Sequence, residues 1–83
     1  MAIYVKQAAI NYVAGKARLT QGQATAAVEA MQNMIVEACK RGDELHLDCG
    51  KFEKIQKDGV NGIVFRQTQD VKEYLNEPAN SGK

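Results

Sequence analysis

Three side chains in the middle of the sequence are of types that bind metals or act in catalysis. They are Cys39, His46 and Cys49, in a C-x6-H-x2-C spacing. This spacing matches no recognised zinc signature. The residues from position 44 onward alternate in polarity, which predicts that His46 points away from Cys49 on a strand. The pattern favours core cysteines and a surface histidine, and we expect neither a metal nor another cofactor.

The sequence also lacks the patterns that catalysis requires. It has one histidine, no serine or cysteine in a recognisable nucleophile–base arrangement, and no glycine-rich loop of the kind that holds phosphates. We therefore expect a protein that is not an enzyme.

Length and charge limit the core and the partners of this chain. We predict one domain over residues 1–77 and a disordered tail at 78–83, and so small a core usually needs disulfides, a metal or oligomerisation. Two cysteines, no signal peptide and no membrane-length apolar run predict a cytoplasmic protein with reduced thiols and no membrane contact. Eleven basic and ten acidic residues give a net charge of +1, which counts against a protein that coats DNA strongly.

The stretch from Thr20 to Gly42 predicts one helix with a signal at each end. Thr20 and Gln23 have the spacing of a capping box, and Gly42 suits a left-handed exit from the helix. Between these ends, apolar residues recur at intervals of four and three and form a seam, namely Ala24, Val28, Met31, Ile35 and Ala38. This apolar face is too wide for a helix that lies on a small domain, and it predicts burial by a second chain.

Changes in the spacing of apolar residues predict the remaining helices and strands. Residues 4–18 predict a helix, joined by Arg18-Leu19 to the central helix as an αα-hairpin. After Gly42 the alternation predicts three strands, around residues 45–49, 51–56 and 63–65, with turn dipeptides at Asp58-Gly59 and Asn61-Gly62. Thr68 predicts the N-cap of a last helix, with Val71, Tyr74 and Leu75 facing inward. The predicted order is α-α-β-β-β-α.

This order resembles the HU and integration host factor family of bacterial histone-like DNA-binding proteins. Five segments carry the resemblance across residues 5–76, and they are Lys6–Ile10, Lys16–Thr20, Gly42–Leu47, Cys49–Glu53 and Val64–Lys72. Arg18 stands where the family usually has glycine, and Cys49 replaces an aromatic residue. No single segment is specific, but their order and spacing together indicate the family.

The resemblance implies an α+β fold in which two chains intertwine as a homodimer, with a helical base below a saddle-shaped sheet. The dimer core is then expected to include Val28, Met31, Ile35, Ala38, Leu45, Leu47, Phe52 and Phe65. The family's long β-arms, each ending in a proline, reach round the duplex. Here only twelve residues separate Phe52 from Phe65, and the predicted tip at residues 59–62 has no proline. The predicted arm is therefore truncated, about five residues a side or roughly 17 Å.

The resemblance further implies that any DNA binding uses the body of the protein. Lys6, Arg66 and Lys72 match basic positions of the family, while Gln69 replaces an expected lysine. Lys51, in the turn after Gly50, and Lys54 complete the expected phosphate contacts. Lysine and arginine neutralise phosphates without reading sequence. The expected partner is double-stranded DNA, bound weakly in the nucleoid of a bacterial or phage-derived system.

The local charge supports a second interpretation. Residues 40–58 contain five basic and five acidic side chains, so the predicted saddle is neutral. A protein–protein module on the same scaffold, paired with itself, with an HU-type chain or with another protein, would need little or no DNA binding. The sequence leaves both interpretations open.

Overall fold

The computed structural model describes residues 2–78. It contains helices α1 (Lys6–Ala17), α2 (Gln21–Lys40) and α3 (Gln69–Leu75), and strands β1 (Leu45–Leu47), β2 (Gly50–Lys57) and β3 (Val60–Gln67). The predicted order α-α-β-β-β-α is confirmed. Apart from Pro78, the tail predicted at residues 78–83 lies outside the described residues.

The chain forms two compact units that divide within α2, between Met34 and Ile35. The first unit contains α1 and the first part of α2. The second contains the end of α2, the sheet and α3. None of the helices within residues 2–78 has the length and apolar character needed to span a bilayer.

Both ends of α2 have the geometry that the sequence predicted. The Thr20 hydroxyl accepts a hydrogen bond from the backbone N–H of Gln23 at 3.1 Å, and the Gln23 side-chain oxygen accepts from the Thr20 backbone N–H at 2.9 Å. This is a capping box. At the other end Gly42 has φ of +85°, and the Gly42 and Asp43 N–H groups donate to the carbonyls of Cys39 and Ala38. These two bonds make a Schellman motif, which satisfies the last carbonyls of the helix.

Helix α1 is less well specified at both ends. Val5 precedes it in an extended conformation and provides no side-chain cap. Arg18 ends it with φ of 58° and ψ of 49°, in the left-handed region. A side chain with a Cβ is disfavoured there, and glycine is the usual residue. Arg18 is therefore in a strained position that lets the chain turn directly from α1 towards α2.

The sheet has the strand order β1-β2-β3, and both strand pairs are antiparallel. Asp58 and Gly59 connect β2 to β3, and both have positive φ, as a two-residue type I′ turn requires. The tip predicted at residues 59–62 was wrong, because Asn61 and Gly62 lie inside β3 and pair with β2. Five residues on each strand extend beyond the Phe52–Phe65 pair, in agreement with the predicted short arm.

One face of the sheet is apolar at its base. Leu45 lies opposite Phe52, Phe52 lies opposite Phe65, and the two phenyl rings are 5.0 Å apart between centroids. Gly50 lies beside this row, where an added Cβ would be 2.4 Å from the Arg66 carbonyl oxygen and 2.7 Å from the Phe65 ring. Only glycine fits this close approach. We call this the apolar face; it carries Leu45, Phe52, Lys54, Ile63 and Phe65.

Few apolar side chains are fully buried in the single chain. Among residues 2–78 the buried hydrophobic residues are Ile10, Ala24, Ala38, Cys39 and Leu45. Two predicted inward positions were wrong for the single chain, since Tyr74 and Leu75 of α3 are more than half exposed. Cys49 was also predicted in the core, but it lies exposed in the turn after β1. The strand ends at Leu47, so the alternation does not continue to position 49.

The left-handed conformation of Arg18 gives a test of the local fold. Arg18→Gly should raise the free energy of unfolding by about 0.5 to 1 kcal/mol, because the strain of a left-handed residue with a Cβ exceeds the added flexibility of the unfolded chain. Urea unfolding at fixed protein concentration measures the change. Ala17→Gly is the matched control and should lower stability by about 1 kcal/mol, since position 17 is helical. A similar loss in both variants would contradict the assigned conformation.

Candidate nucleic-acid interface

Three side chains that carry or can acquire a positive charge form a row across the sheet. His46 on β1 lies opposite Lys51 on β2, and Lys51 lies opposite Arg66 on β3. Directly paired residues project from the same face of a sheet, so the three side chains are neighbours. We call His46, Lys51 and Arg66 the basic row, and the face that carries them the polar face. This face is opposite to the one that carries Phe52 and Phe65.

Two carboxylates lie against the basic row. The Glu44 Oε1 atom is 2.8 Å from His46 Nε2 and 3.6 Å from Lys51 Nζ. On the far side of the row the Glu53 carboxylate accepts a hydrogen bond from Arg66 Nε. Each fixed cation of the row therefore has an acidic partner. The charges of the two fixed cations and the two carboxylates therefore balance.

The contacts of Glu44 favour its ionised form. The hydrogen bond from His46, followed by the charge of Lys51, lowers the pKa of the Glu44 carboxyl below its ordinary value. A carboxylate is stabilised when a donor and a cation both favour its charged form. Glu44 is therefore ionised throughout the neutral range and holds both neighbours by its negative charge.

An open groove of about 200 Å³ lies along the basic row. Besides the three residues of the row, it is lined by Leu47, Gly50, Gln67 and Thr68. Thr68 also caps α3, where its hydroxyl accepts a hydrogen bond from the Val71 backbone N–H at 3.3 Å. The groove is thus a shallow site with cationic walls and further hydrogen-bonding groups at its edge. An anion such as a phosphate oxygen is the chemically matched ligand.

The structure does not bring all five predicted DNA contacts together. Lys54 is opposite Ile63 on the apolar face, where it lines a second groove of about 250 Å³ with Val36, Cys39 and Lys40 of α2. It cannot share a surface with Lys51, because positions 51 and 54 project to opposite sides of β2. Lys72 is exposed on α3 and has no ion pair within residues 2–78.

Lys6 lies at the start of α1, in the first unit. Its Nζ atom is 2.6 Å from the Glu29 carboxylate of α2, and both side chains are about half exposed. The pair joins the two helices of the αα-hairpin. This neutralising partner was not visible in the sequence, since 23 positions separate the two residues.

The residues predicted for a dimer core differ in burial within the single chain. Ala38 and Leu45 are buried, Val28, Ile35 and Phe52 are half-buried, and Met31, Leu47 and Phe65 are 36%, 37% and 43% exposed. The seam of α2 is thus buried at its two ends, Ala24 and Ala38, and is most exposed at Met31 between them. A metal site is not indicated at Cys39, His46 and Cys49, and within residues 2–78 no three acidic, histidine or cysteine side chains come together as ligands.

The alternation after Gly42 placed Glu44 and His46 on the same side of the segment. The sequence prediction treated His46 as an ordinary surface residue and gave neither residue a part in the site. The position of Lys51 against both of them depends on the register between β1 and β2, which the sequence did not specify.

Comparisons with known proteins bear on the fold. No family model and no curated protein sequence matches this chain. The solved structures that are similar to it include two with a TM-score of 0.77. One is a mutant of HU from Thermotoga maritima, which is 22% identical and matches over 87% of this chain and 99% of that one. The other is the Anabaena HU–DNA cocrystal structure, at 24% identity over 90% of this chain and 100% of that one. The resemblance seen in the sequence is therefore confirmed in three dimensions: the chain has the fold of the HU proteins.

Proposed function

We propose that this protein is an HU-like, nucleoid-associated protein that binds duplex DNA weakly and without sequence preference through the polar face of its sheet. The basic row beside an open groove, on the fold of a protein crystallised with DNA, is the observation that carries this proposal. In this proposal the protein acts by binding alone and not as an enzyme.

The chemistry of the polar face supports electrostatic contacts with the DNA backbone. Lys51 and Arg66 donate hydrogen bonds to phosphate oxygens, and Lys72 on α3 supplies a further cation. Such contacts release counterions and do not distinguish base sequences. Glu44 and Glu53 must be partly displaced from their cations when phosphate binds. This competition makes the binding weak and salt-sensitive.

The short hairpin limits the contact to the body. Beyond the Phe52–Phe65 pair it extends five residues a side, which is roughly 17 Å. Its turn is Asp58-Gly59, so an acidic side chain and a glycine stand where a wedge between base pairs would need an apolar residue. Val60 follows the turn as the first residue of β3, and we assign it no wedge function.

We further propose that the functional unit is a homodimer. The apolar seam of α2 is open at Met31, and Leu47 and Phe65 of the sheet are each more than one-third exposed. Exposure of such large apolar side chains to water costs roughly 25 cal/mol for each Å² of apolar surface. A second copy that contributes the same residues covers them on both chains. Pairing also doubles the number of basic rows available to one duplex.

A protein–protein module is the second candidate function. The observation that favours it is the pairing of both fixed cations of the row with acids, Lys51 with Glu44 and Arg66 with Glu53. A surface of this kind suits a polar protein interface as well as a phosphate backbone. In that case the scaffold pairs with itself, with an HU-type chain or with another protein, and DNA affinity is negligible.

Two lysines on one strand provide a matched test of the DNA-binding face. Lys51→Ala and Lys54→Ala remove the same charge from opposite sides of β2. Lys51→Ala should weaken duplex binding by about three- to tenfold for a dimer, because each chain loses one phosphate contact, and Lys54→Ala should leave the affinity nearly unchanged. Fluorescence anisotropy with a labelled duplex at low salt gives both values. Arg66→Ala should weaken binding to a similar degree, since it likewise removes one cation and leaves its carboxylate partner, Glu53, without it.

Equal losses in the Lys51 and Lys54 variants would contradict the assignment of the polar face. No binding by the unmodified protein would reject the DNA-binding proposal itself and leave the protein-module candidate. The oligomeric state of each variant is measured in parallel, so that a loss of affinity is not confused with a loss of the dimer.

The dimer proposal has its own test in α2. Met31→Asp puts an unpaired charge into the apolar seam and should abolish the dimer or unfold the chain. Asn33→Asp adds the same charge about half a turn round the helix, on the side opposite to the seam. It should change neither the mass of the sedimenting species nor the stability of the protein appreciably. Sedimentation equilibrium at micromolar concentration should give twice 9.1 kDa for the unmodified chain. A folded species of 9.1 kDa would refute the dimer.

A further inference from the structure

His46 occupies a position in which one proton changes the charge of the polar face. It is the single histidine of the chain, and its side chain is 65% exposed at one end of the basic row. An imidazole ordinarily titrates near pH 6.5, whereas lysine, arginine and carboxyl groups keep their charges between about pH 5.5 and pH 7. His46 is therefore the residue of the row whose type allows its charge to change with one proton.

The immediate partner of His46 is shared with a lysine. Glu44 Oε1 is 2.8 Å from His46 Nε2 and 3.6 Å from Lys51 Nζ. With neutral imidazole, the Nε2–H group donates a hydrogen bond to Glu44, and the negative charge of Glu44 is balanced by Lys51. The net charge of these three groups is then zero. With protonated imidazole, His46 is an ion-pair partner of Glu44 and the net charge becomes +1.

The other charged groups round His46 come from each neighbouring strand and turn. In the basic row, Lys51 lies between His46 and Arg66 of β3, and Arg66 is bound by Glu53 of β2. Asp48 lies two residues beyond His46, in the turn between β1 and β2. Asp43, which precedes Glu44, is paired with Arg41 at 3.1 Å.

We propose that His46, Glu44 and Lys51 form a proton-operated switch that strengthens DNA binding as the pH falls from about 7 to about 5.5. This inference rests on the proposed function, since it describes the regulation of the same surface. Protonated His46 binds Glu44 as an ion pair, so Lys51 is released from Glu44 and can contact a phosphate in the groove. His46 itself adds a second cation beside that phosphate.

Thermodynamic linkage gives this switch a second signature. If protonation of His46 strengthens phosphate binding, then phosphate binding must favour protonation to the same degree. Complex formation near pH 6.5 therefore takes up protons from the buffer. The uptake assigned to the switch is at most one proton for each chain, because each chain has a single histidine.

The experiment uses the full chain and a labelled duplex, at about pH 5.5 and about pH 7, at one low salt concentration. For the unmodified protein we expect the affinity to be about three- to fivefold higher at the lower pH for each basic row that contacts the duplex. This factor is the effect of one exposed charge contact. His46→Gln should lose the pH dependence and bind with the same affinity at both pH values. His46→Lys, which is charged throughout, should also bind equally at both, and more tightly than His46→Gln. Circular dichroism checks that each variant is folded, as expected for an exposed position.

Calorimetry near pH 6.5 in two buffers of different ionisation enthalpy measures the proton uptake. We expect uptake for the unmodified protein and none for either variant. Equal affinity of the unmodified protein at both pH values would overturn the switch while the proposed function stands. A pH dependence that persists in His46→Gln would overturn it in the same way. No binding by any of the three proteins at either pH would overturn the proposed function and the switch together.

Discussion

The register between β2 and β3 decides which side chains share a face of the sheet. The two-residue turn at Asp58-Gly59 fixes it, and the Phe52–Phe65 pair, with ring centroids 5.0 Å apart, holds it on the apolar side. Because the side-chain period of a strand is two, a slip of one residue would send Lys51 to the apolar face and Phe52 to water. The close approach at Gly50, which admits no Cβ, fixes the same alignment at the base of the hairpin. The basic row depends on this register.

Charge compensation is the second feature of the polar face. A surface with free lysines would bind any polyanion strongly, whereas here Glu44 and Glu53 are present on the same face as the cations they neutralise. Under the proposed function, phosphate would have to compete with these carboxylates. The affinity would then respond to small changes in ionic strength or protonation, and a net charge of +1 is compatible with such a surface. The same pairs of cations and carboxylates also suit a polar protein interface, as the second candidate function requires.

The sequence predicted the parts of this fold that depend on local chemistry. Thr20 and Gln23 indicated the capping box, Gly42 the helix exit, and the alternation after it the three strands, because each signal is read within a few residues. The prediction was wrong where the outcome depended on pairing between strands. The hairpin tip was predicted two residues too far along, since both Asp58-Gly59 and Asn61-Gly62 are turn dipeptides and only the paired strands distinguish them.

The same limit applies to the candidate site. The sequence prediction grouped Lys54 with Lys51 as DNA contacts. In the structure the two lysines project from opposite faces of β2. Glu44, His46 and Lys51 meet only because β1 pairs with β2 in one particular register. Cys49 was predicted inside because the strand was assumed to continue, whereas β1 ends after three residues. These contacts between segments are not encoded in the period or composition of either one.

The central claim is that the body of this short-armed HU fold binds DNA electrostatically, and the salt dependence of duplex binding tests it most directly. Fluorescence anisotropy from about 50 to about 200 mM salt gives the slope of log affinity against log salt concentration. With about six phosphate contacts for a dimer, the slope should be near −5. Binding that is absent at the lowest salt, or that does not change with salt, would contradict the account and direct attention to protein partners.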